Sequence, residues 1–368
     1  MSELNDKLNR FTNEKVSLRK SEKRKALDFW EPKVRDILEN VKEKDTRFAG
    51  MEMQFKGSYY ERCKVGEPDE FDLMLVMKNL ELNGDPYDDT EDDGMSEPPT
   101  GFTRVMIDMG EEETWKKNHC VDVRGMLSAS RVKSVFASLV KGAIEECGYA
   151  RFVKKSSHGP AVTLPLKNDD GKSYSIDLVL AIKDKTWPED ADEWKARSRR
   201  GWPKEDLVRK IWKDGCHLVA KVPKGSTVPE REKEFLWRYS FSGAEKTLFR
   251  EGGQGEASSC RKQVLRILKA LKEELDLHPL KSYHLKTILF YECEANPHSS
   301  HWSFNCLGER FMGLLKRLET CLSQRSCPHY FIREFNLFEM FPQQKCDELA
   351  RKIHLIRIDP QRVLSRLI

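Results

Sequence analysis

Two acidic residues lie one position apart in the apolar run EFDLMLVM, where Glu70 and Asp72 flank Phe71. Successive side chains of a β-strand point to opposite faces, so both carboxylates share one face and Phe71 points to the other. Carboxylate oxygens are the ligands that hard cations such as Mg²⁺ prefer. The pattern therefore predicts a metal-binding strand, although an exposed strand end with two acids would have the same appearance.

A Gly-Ser pair, Gly57 and Ser58, precedes these acids, and a third acid, Asp177, lies inside the apolar run SYSIDLVLAI. A glycine turn can present backbone N–H groups and a hydroxyl to a triphosphate. A carboxylate inside an apolar strand is costly unless it is paired or binds a metal; capping of a neighbouring turn is the simpler alternative for Asp177. Three carboxylates can bridge two Mg²⁺ ions, with Mn²⁺ as the alternative metal, and this arrangement predicts nucleotidyl transfer onto a ribose hydroxyl.

The composition limits the cellular setting of this chemistry. Among the 368 residues, 39% are hydrophobic and 18 are Phe, which excludes a disordered chain. The ten cysteines contain no CxxC pair and predict free thiols in a reducing compartment. The polar start MSELNDKLNRF and the lack of an apolar run of about 18 residues predict no signal peptide and no membrane span. We therefore expect a cytoplasmic protein, with the nucleus as the alternative.

The elements that must position the acids change in character along the chain. Residues 1–45 are charged, with apolar residues at roughly helical spacing, and predict a long amphipathic helix. Mixed strand and helix patterns follow, and the second half is mostly helical. Strong helical periods lie at 259–275, 283–292, 303–323 and 345–357. We expect an α/β domain over 1–210 and a helical lobe over 211–368.

Several stretches carry a resemblance to a known family. They are GSYYERCKVGEPDEFDLML (57–75), GPAVTLPL (159–166), SYSIDLVLAI (173–182), WRYSFSGAEK (237–246), SYHLKTILF (282–290) and HYFIREFNLF (329–338). In their order and spacing, over nearly the whole chain, the sequence resembles the cGAS-like receptors, the family of cyclic GMP-AMP synthase. The resemblance implies a bilobed nucleotidyltransferase fold with a long N-terminal spine helix, a mixed β-sheet core and a helical C-terminal lobe. It also implies that Glu70, Asp72 and Asp177 hold two Mg²⁺ ions.

The same resemblance implies contacts to two nucleoside triphosphates, most simply ATP and GTP. The expected nucleotide contacts are Gly57, Ser58, Arg238, Ser240, Lys269, Ser282 and Tyr283. Tyr283 matches a tyrosine that stacks on a base, while Ser282 and Lys269 match residues that touch the donor triphosphate. Arg238 and Ser240 match residues that recognise the other base. Taken alone, Tyr283 would be an ordinary aromatic at a helix start and Arg238 part of a surface ion pair.

Members of the family bind a nucleic-acid duplex along the spine helix and the adjoining lobe, and the resemblance allows for a homodimer on that duplex. The matching basic positions are Lys20, Lys23, Arg24, Lys246, Lys262 and Arg266. Lysine and arginine contacts to phosphates give affinity without sequence readout and a steep dependence on salt. A second candidate surface is the basic run Lys195, Arg197, Arg199, Arg200 and Lys204, close to Trp202.

The chain departs from cyclic GMP-AMP synthase at the zinc-binding insertion, which has one His and three Cys in that enzyme. The corresponding stretch, FREGGQGEASSCRK (249–262), holds only Cys260 and no histidine. We therefore expect no zinc and a trigger of double-stranded RNA, recognised by shape and backbone, with DNA as the alternative. Zinc-ligand residue types also occur as C-x4-H-x2-H-x4-C at Cys293, His298, His301 and Cys306. That spacing lacks the close pairs of usual zinc sites, so core thiols and loop histidines are expected.

The resemblance as a whole predicts a nucleic-acid-sensing cyclic dinucleotide synthase that joins ATP and GTP to cyclic GMP-AMP, releases pyrophosphate and signals in innate antiviral immunity. Two alternatives share the fold or the metal core. One is a catalytically silent protein that binds nucleotide or nucleic acid; the intact acids and Gly-Ser turn disfavour it. The other is a polymerase such as a poly(A) or CCA-adding enzyme, which the stretches SYHLKTILF and YFIREFNLF disfavour.

Overall fold

The structure, a computed structural model, describes residues 1–16, 20–57, 63–80, 82, 95–107, 112–153, 162–221, 223, 227–251 and 259–368. Within those ranges, the strands are β1 Met51–Lys56, β2 Glu70–Met77, β3 Phe102–Thr103, β4 Val162–Lys167, β5 Ser173–Asp184, β6 Cys216–Val219 and β7 Trp237–Ser240. The helices are α1 Ser2–Phe11, α2 Lys20–Lys44, α3 Thr46–Ala49, α4 Glu112–Lys116, α5 Ala129–Glu146, α6 Asp192–Ala196, α7 Glu205–Asp214, α8 Glu230–Lys233, α9 Ser242–Glu251, α10 Arg261–Glu274, α11 Ser282–Ala295, α12 Leu307–Ser323, α13 Gln343–Ile358 and α14 Pro360–Leu367.

These strands form one mixed sheet in the order β1-β2-β5-β6-β7-β3. β2 and β5 run parallel in its interior, and their register places Asp72 opposite Asp177. β4 pairs antiparallel with the first half of β5, and β6 pairs with its last four residues. The predicted acid-bearing strands are therefore neighbours, and both are held on two sides by hydrogen-bonded strands.

The pleat gives the sheet one apolar face and one functional face. In β2, Phe71 and Leu73 are fully buried, whereas Glu70 and Asp72, which alternate with them along the strand, are exposed. The apolar face packs on α2 and α5, with the Trp30 and Phe71 ring centroids 4.8 Å apart. Burial of such aromatic and aliphatic side chains stabilises the fold by roughly 1.5–3 kcal/mol each. The core therefore directs the acids to the opposite face.

The N-terminal helical segment divides its apolar residues between two cores. α2 buries Trp30 and Val34 against the sheet, whereas α1 buries Leu4 and Leu8 in the core of the helical lobe. A π-helical segment, Thr12–Val16, follows α1, so the helix predicted over 1–45 is not one uninterrupted α-helix. The long spine helix corresponds to α2, and the predicted fold class is confirmed.

The helical C-terminal region follows the predicted periods closely. The four predicted segments correspond to α10, α11, α12 and α13. Trp187, Trp194 and Trp202 pack in the same core as these helices, although they precede residue 210. The division of the chain at residue 210 therefore stays a prediction.

Two expectations from composition can be compared with the described residues. All ten cysteines are described, and all are free thiols. None of the helices in the described ranges has both the length and the apolar character needed to cross a bilayer.

Candidate active site

The three predicted carboxylates lie on one face of the sheet. Asp72 is directly opposite Asp177, and Glu70 is opposite Ser175 two positions earlier in the same ladder. Directly paired residues of neighbouring strands point to the same face. The Thr163 hydroxyl, on β4, donates a hydrogen bond of 2.7 Å to Asp177 Oδ1. Thr163 thus satisfies one oxygen of the carboxylate that sits deepest in the sheet.

Gly57 approaches the second carboxylate so closely that no side chain fits. Its φ is +75°, a left-handed conformation that favours glycine. A Cβ at this position would lie 2.0 Å from Asp72 Oδ2 and 2.9 Å from Asp72 Cβ. The glycine predicted as part of a phosphate-binding turn therefore also makes room for Asp72. Its predicted partner Ser58 lies outside the described residues.

The Glu70 carboxylate is ion-paired with a lysine that sequence reasoning did not identify. Lys64 Nζ lies 3.0 Å from Glu70 Oε2 and 3.1 Å from Asp69 Oδ1. Burial by itself lowers the pKa of Lys64, but these two carboxylates outweigh it and raise that pKa above its usual value. Lys64 therefore stays charged and forms an ion pair with Glu70.

The three carboxylates are of the right chemical type for a divalent cation, and the backbone places them on the same face. All three ligands are carboxylates on one rigid face, and the missing side chain of Gly57 leaves space beside Asp72. The side chains themselves are not gathered: within the described ranges, no three His, Cys, Asp or Glu residues are arranged to hold a metal ion. Joint coordination by the three acids therefore requires their side chains to rearrange.

The strand register brings two predicted base contacts to the same face. Val219 pairs with Ala181 of β5 and with Arg238 of β7, while His217 pairs with Ser240. Ala181 lies four residues after Asp177 on the same strand, and the two therefore share a face. Arg238 and Ser240 thus lie on the functional face with the acids, two strands away from β5.

Tyr283 lies beside Arg238 and is held by His329. The rings of Tyr283 and His329 are stacked with their centroids 5.6 Å apart, and Tyr283 Oη lies 2.6 Å from His329 Nε2. His329 Nδ1 accepts the backbone N–H groups of Phe331 and Ile332, so the ring proton belongs on Nε2, which donates to Tyr283 Oη. Burial, together with the charge of Arg238, lowers the pKa of His329 to about 3, which keeps the ring neutral. Tyr283 is therefore fixed in orientation.

The start of α11 is equally well anchored. The N–H of Lys281 donates to His284 Nδ1 at 3.1 Å, which satisfies one donor at the helix N-terminus. A buried ion pair of 2.9 Å between Lys286 and Glu245 joins α11 to α9. Ser282, the first residue of α11, is half-buried at the positive end of this helix. That position suits the predicted contact with a triphosphate.

Lys269 has a different environment from the one predicted. Its side chain is 2% exposed, and its Nζ donates to the carbonyl oxygen of Cys63 at 3.2 Å. Lys269 therefore ties Cys63 to α10 in this structure. A direct contact of Lys269 with a triphosphate would require the buried Lys269 side chain to leave this position.

Sequence reasoning missed Lys64, Thr163 and His329 as parts of this site. Each one lies within a stretch that carries the family resemblance. Their position in those stretches was the available signal. Their roles depend on contacts with residues far away in the chain, which no local pattern displays.

The residues predicted to bind a duplex lie on three helices. Lys23 and Arg24 lie in the first turns of α2, and the side chain of Lys20 lies outside the described part. Lys262 and Arg266 are half-buried and one helical turn apart on α10, and Lys246 is half-buried on α9. Gln263 of α10 donates to Asn9 Oδ1 at 2.9 Å, so the N-terminal segment is docked on α10.

The second candidate basic run is in part structural. The Arg197 side chain is 10% exposed and lies 2.7 Å from Glu193 and 3.1 Å from Glu294. Arg199 is 8% exposed and lies 3.6 Å from Glu294. These two arginines are therefore unsuitable for a duplex, whereas Lys195, Arg200 and Lys204 are exposed.

The four residues with zinc-ligand types have separate environments. Cys293 is buried, and burial raises the pKa of its thiol to about 12. The Cys306 thiol donates to the carbonyl oxygen of Ser300, and the rings of His298 and His301 contact each other edge to face. Half of the stretch that corresponds to the zinc-binding insertion, residues 252–258, lies outside the described residues.

Comparison with known families gives two matches in succession along the chain. Residues 59–251 match the Mab-21 protein nucleotidyltransferase domain. Residues 260–355 match the Mab-21 protein HhH/H2TH-like domain. The first match spans more than half of the 368 residues and contains all three carboxylates. The second contains Lys269, Ser282 and Tyr283.

Proposed function

The chain belongs to the Mab-21 nucleotidyltransferase family, and from this premise we propose that it is a cyclic dinucleotide synthase activated by a bound nucleic-acid duplex. It joins two nucleoside triphosphates, ATP and GTP in the first instance, to cyclic GMP-AMP and releases pyrophosphate. The observation that carries this proposal is the shared sheet face of Asp72, Asp177 and Arg238, with the Gly57 turn against Asp72. The product would signal in innate immunity, in the cytoplasm.

Each step of the transfer can be assigned to residues of this chain. Glu70, Asp72 and Asp177 would hold the divalent metal ions, which supply charge neutralisation at the triphosphate and activation of the attacking hydroxyl. The backbone of the Gly57 turn and the N-terminus of α11 at Ser282 bind phosphate oxygens through N–H groups. A ribose hydroxyl then loses its proton to solvent, and its oxygen forms a bond to the α-phosphorus as the bond to pyrophosphate breaks. A second transfer of the same kind, with loss of a second pyrophosphate, closes the ring.

Two side chains orient the bases for this attack. Tyr283 offers a ring whose orientation His329 holds, and stacking on such a ring suits any base. Arg238 offers guanidinium donors to a base carbonyl oxygen. Because His329 holds the Tyr283 ring, the base that stacks on it is positioned before the chemistry begins.

α10 links the proposed duplex surface to the catalytic segment. Lys262 and Arg266 are the phosphate-binding candidates on this helix, while Lys269 on the same helix reaches the carbonyl oxygen of Cys63. A shift of α10 on duplex binding would therefore act on Cys63, seven residues before Glu70. We take double-stranded RNA as the first candidate activator and DNA as the second.

The test is incubation of the full chain with all four nucleoside triphosphates, Mg²⁺ or Mn²⁺, and duplex RNA or DNA in parallel. Chromatography is expected to show a cyclic dinucleotide with a duplex present, and Asp72→Asn is expected to abolish it. Lys262→Glu and Arg266→Glu are expected to abolish activation, whereas Lys141→Glu, which changes an exposed lysine of α5, should not. Failure of every duplex to elicit a product would refute the synthase.

One observation favours a second candidate function, a silent nucleotide-binding protein. Glu70 is paired with Lys64, and the described acids are not gathered around a metal position. Nucleotide binding without turnover under any activator, with Tyr283→Ala reducing that binding, would support this candidate. Linear, growing products would instead indicate a polymerase.

A further inference from the structure

A basic cavity of about 410 Å³ lies on the functional face of the sheet, apart from the proposed active site. Its walls come from β1, β2, β5, β6, α7 and α9. Five cationic side chains and one carboxylate line it, namely Lys56, Lys78, Lys183, Lys246, Arg250 and Asp214. None of the three acids, and none of the expected nucleotide contacts within the described residues, lines this cavity.

The cavity contains a buried histidine with an unsatisfied nitrogen. His217 is 6% exposed, and among the described residues its Nδ1 has no hydrogen-bond partner. Burial, together with Lys183, Lys56 and Lys78, lowers the pKa of His217 to about 3. The ring is therefore neutral at physiological pH, and one of its nitrogens can accept and the other donate a hydrogen bond.

Two of the lysines make local contacts: Lys78 lies 3.4 Å from Glu52, and Lys183 donates to the carbonyl oxygen of Asp214. Lys246 and Arg250 lie one helical turn apart on α9, so their side chains extend from the same side of that helix. The walls carry five cations and one carboxylate, more positive charge than a single phosphate group requires. That charge suits several phosphate groups held close together.

We propose that this cavity binds a small polyphosphorylated molecule. The volume falls in the range of about 300–1,000 Å³ that is typical of small-ligand sites. Its floor includes the buried side chains of Val76, Ile211 and His217, and a recess with such a floor suits a compact ligand better than the convex backbone of a duplex.

The position of Lys56 connects this cavity with the catalytic strand. Lys56 is the last residue of β1, pairs with Asp72 in the ladder and directly precedes Gly57. A phosphate group bound at Lys56 would therefore restrain the turn that contacts Asp72. The proposed site does not depend on nucleotidyl transfer, because its residues are separate from the acids.

The test is calorimetric titration of the full chain with inositol hexakisphosphate, without metal or nucleotide, at physiological salt. Arg250→Ala removes a cation of the cavity, and Gly243→Leu fills the space beside His217 without changing the charge. A Cβ at Gly243 would lie 3.9 Å from His217 Cε1, an ordinary contact, so the fold should tolerate the leucine. Each variant is expected to weaken binding roughly tenfold, the effect of losing one charge-assisted hydrogen bond.

Two further variants separate this site from general charge and from the active site. Lys141→Ala removes an exposed lysine of α5, and Tyr283→Ala alters a proposed nucleotide contact that does not line the cavity; both are expected to bind the probe as the wild type does. Absence of binding by the wild type would overturn the proposal, as would unchanged affinity in both cavity variants. If the two cavity variants lost duplex RNA binding while the probe bound to none of the proteins, the cavity would belong to the duplex surface. That result would also overturn the proposal.

Discussion

Gly57→Ala is expected to damage the active site far more than it damages the fold. An alanine at a φ of +75° costs about 1 kcal/mol in backbone strain. Its Cβ would also lie 2.0 Å from Asp72 Oδ2 and 2.9 Å from Asp72 Cβ. A different Asp72 rotamer relieves the first contact but not the second, since Cβ is fixed to the strand. The turn itself must therefore shift.

The size of the effect on activity follows from that shift. Misplacement of catalytic groups by about 1 Å costs on the order of 10²-fold in rate. Gly57→Ala is therefore expected to lower the rate of pyrophosphate release about a hundredfold, while unfolding experiments show a loss of only about 1–2 kcal/mol.

Gly148→Ala is the matched control for this experiment. Gly148 has a φ of +73°, and a Cβ there would meet no atom within 4 Å. It carries the same backbone strain without the clash, and it should lose a similar amount of stability but little activity. Equal activity of the two variants would refute the reasoning that Gly57 makes room for Asp72.

Three further changes test other parts of the structure. His329 has a pKa of about 3 in the folded chain, so as the pH falls below 6.5 the unfolded chain takes up the proton first and stability is lost. In chemical unfolding experiments, His329→Gln should remove about 2 kcal/mol of the stability loss between pH 6.5 and pH 5. An unchanged dependence of the unfolding free energy on pH would contradict this. Lys64→Met frees Glu70 from a partly exposed ion pair and should tighten Mn²⁺ binding to the nucleotide complex roughly threefold in titration calorimetry; weaker binding would show that Lys64 helps to assemble the site. Arg197→Ala removes the buried arginine that pairs with both Glu193 and Glu294 and should cost about 3 kcal/mol, whereas the exposed Arg200→Ala should cost little; similar melting temperatures would contradict the buried network.

Much of the fold was accessible from local patterns. The four helical periods predicted in the second half correspond to α10–α13, and Ser128 accepts the N–H of Arg131 as the N-cap of α5. The period-2 pattern of EFDLMLVM correctly assigned Phe71 to the core and Glu70 and Asp72 to the other face. These features follow from side-chain periodicity and capping, which act over a few residues.

Features that depend on distant contacts were less accessible. The basic run around Arg197 has the composition of an exposed surface, yet Glu193 and Glu294 bury Arg197 and Arg199. The N-terminal segment has one helical pattern, but it packs on two cores with a π-helical segment between them. In both cases the outcome depends on which residues fold against the segment.

The sequence by itself determined the chemistry that is available: three carboxylates in two strands, a glycine turn before them and a family resemblance over nearly the whole chain. Alternation along the strands also determined the face on which the acids lie. Only the tertiary structure decided that Asp72 is opposite Asp177, that Lys64 pairs with Glu70 and that five cations line one cavity with His217. Strand register and ion pairing join residues that are far apart in the chain, and the packing of the whole core selects them.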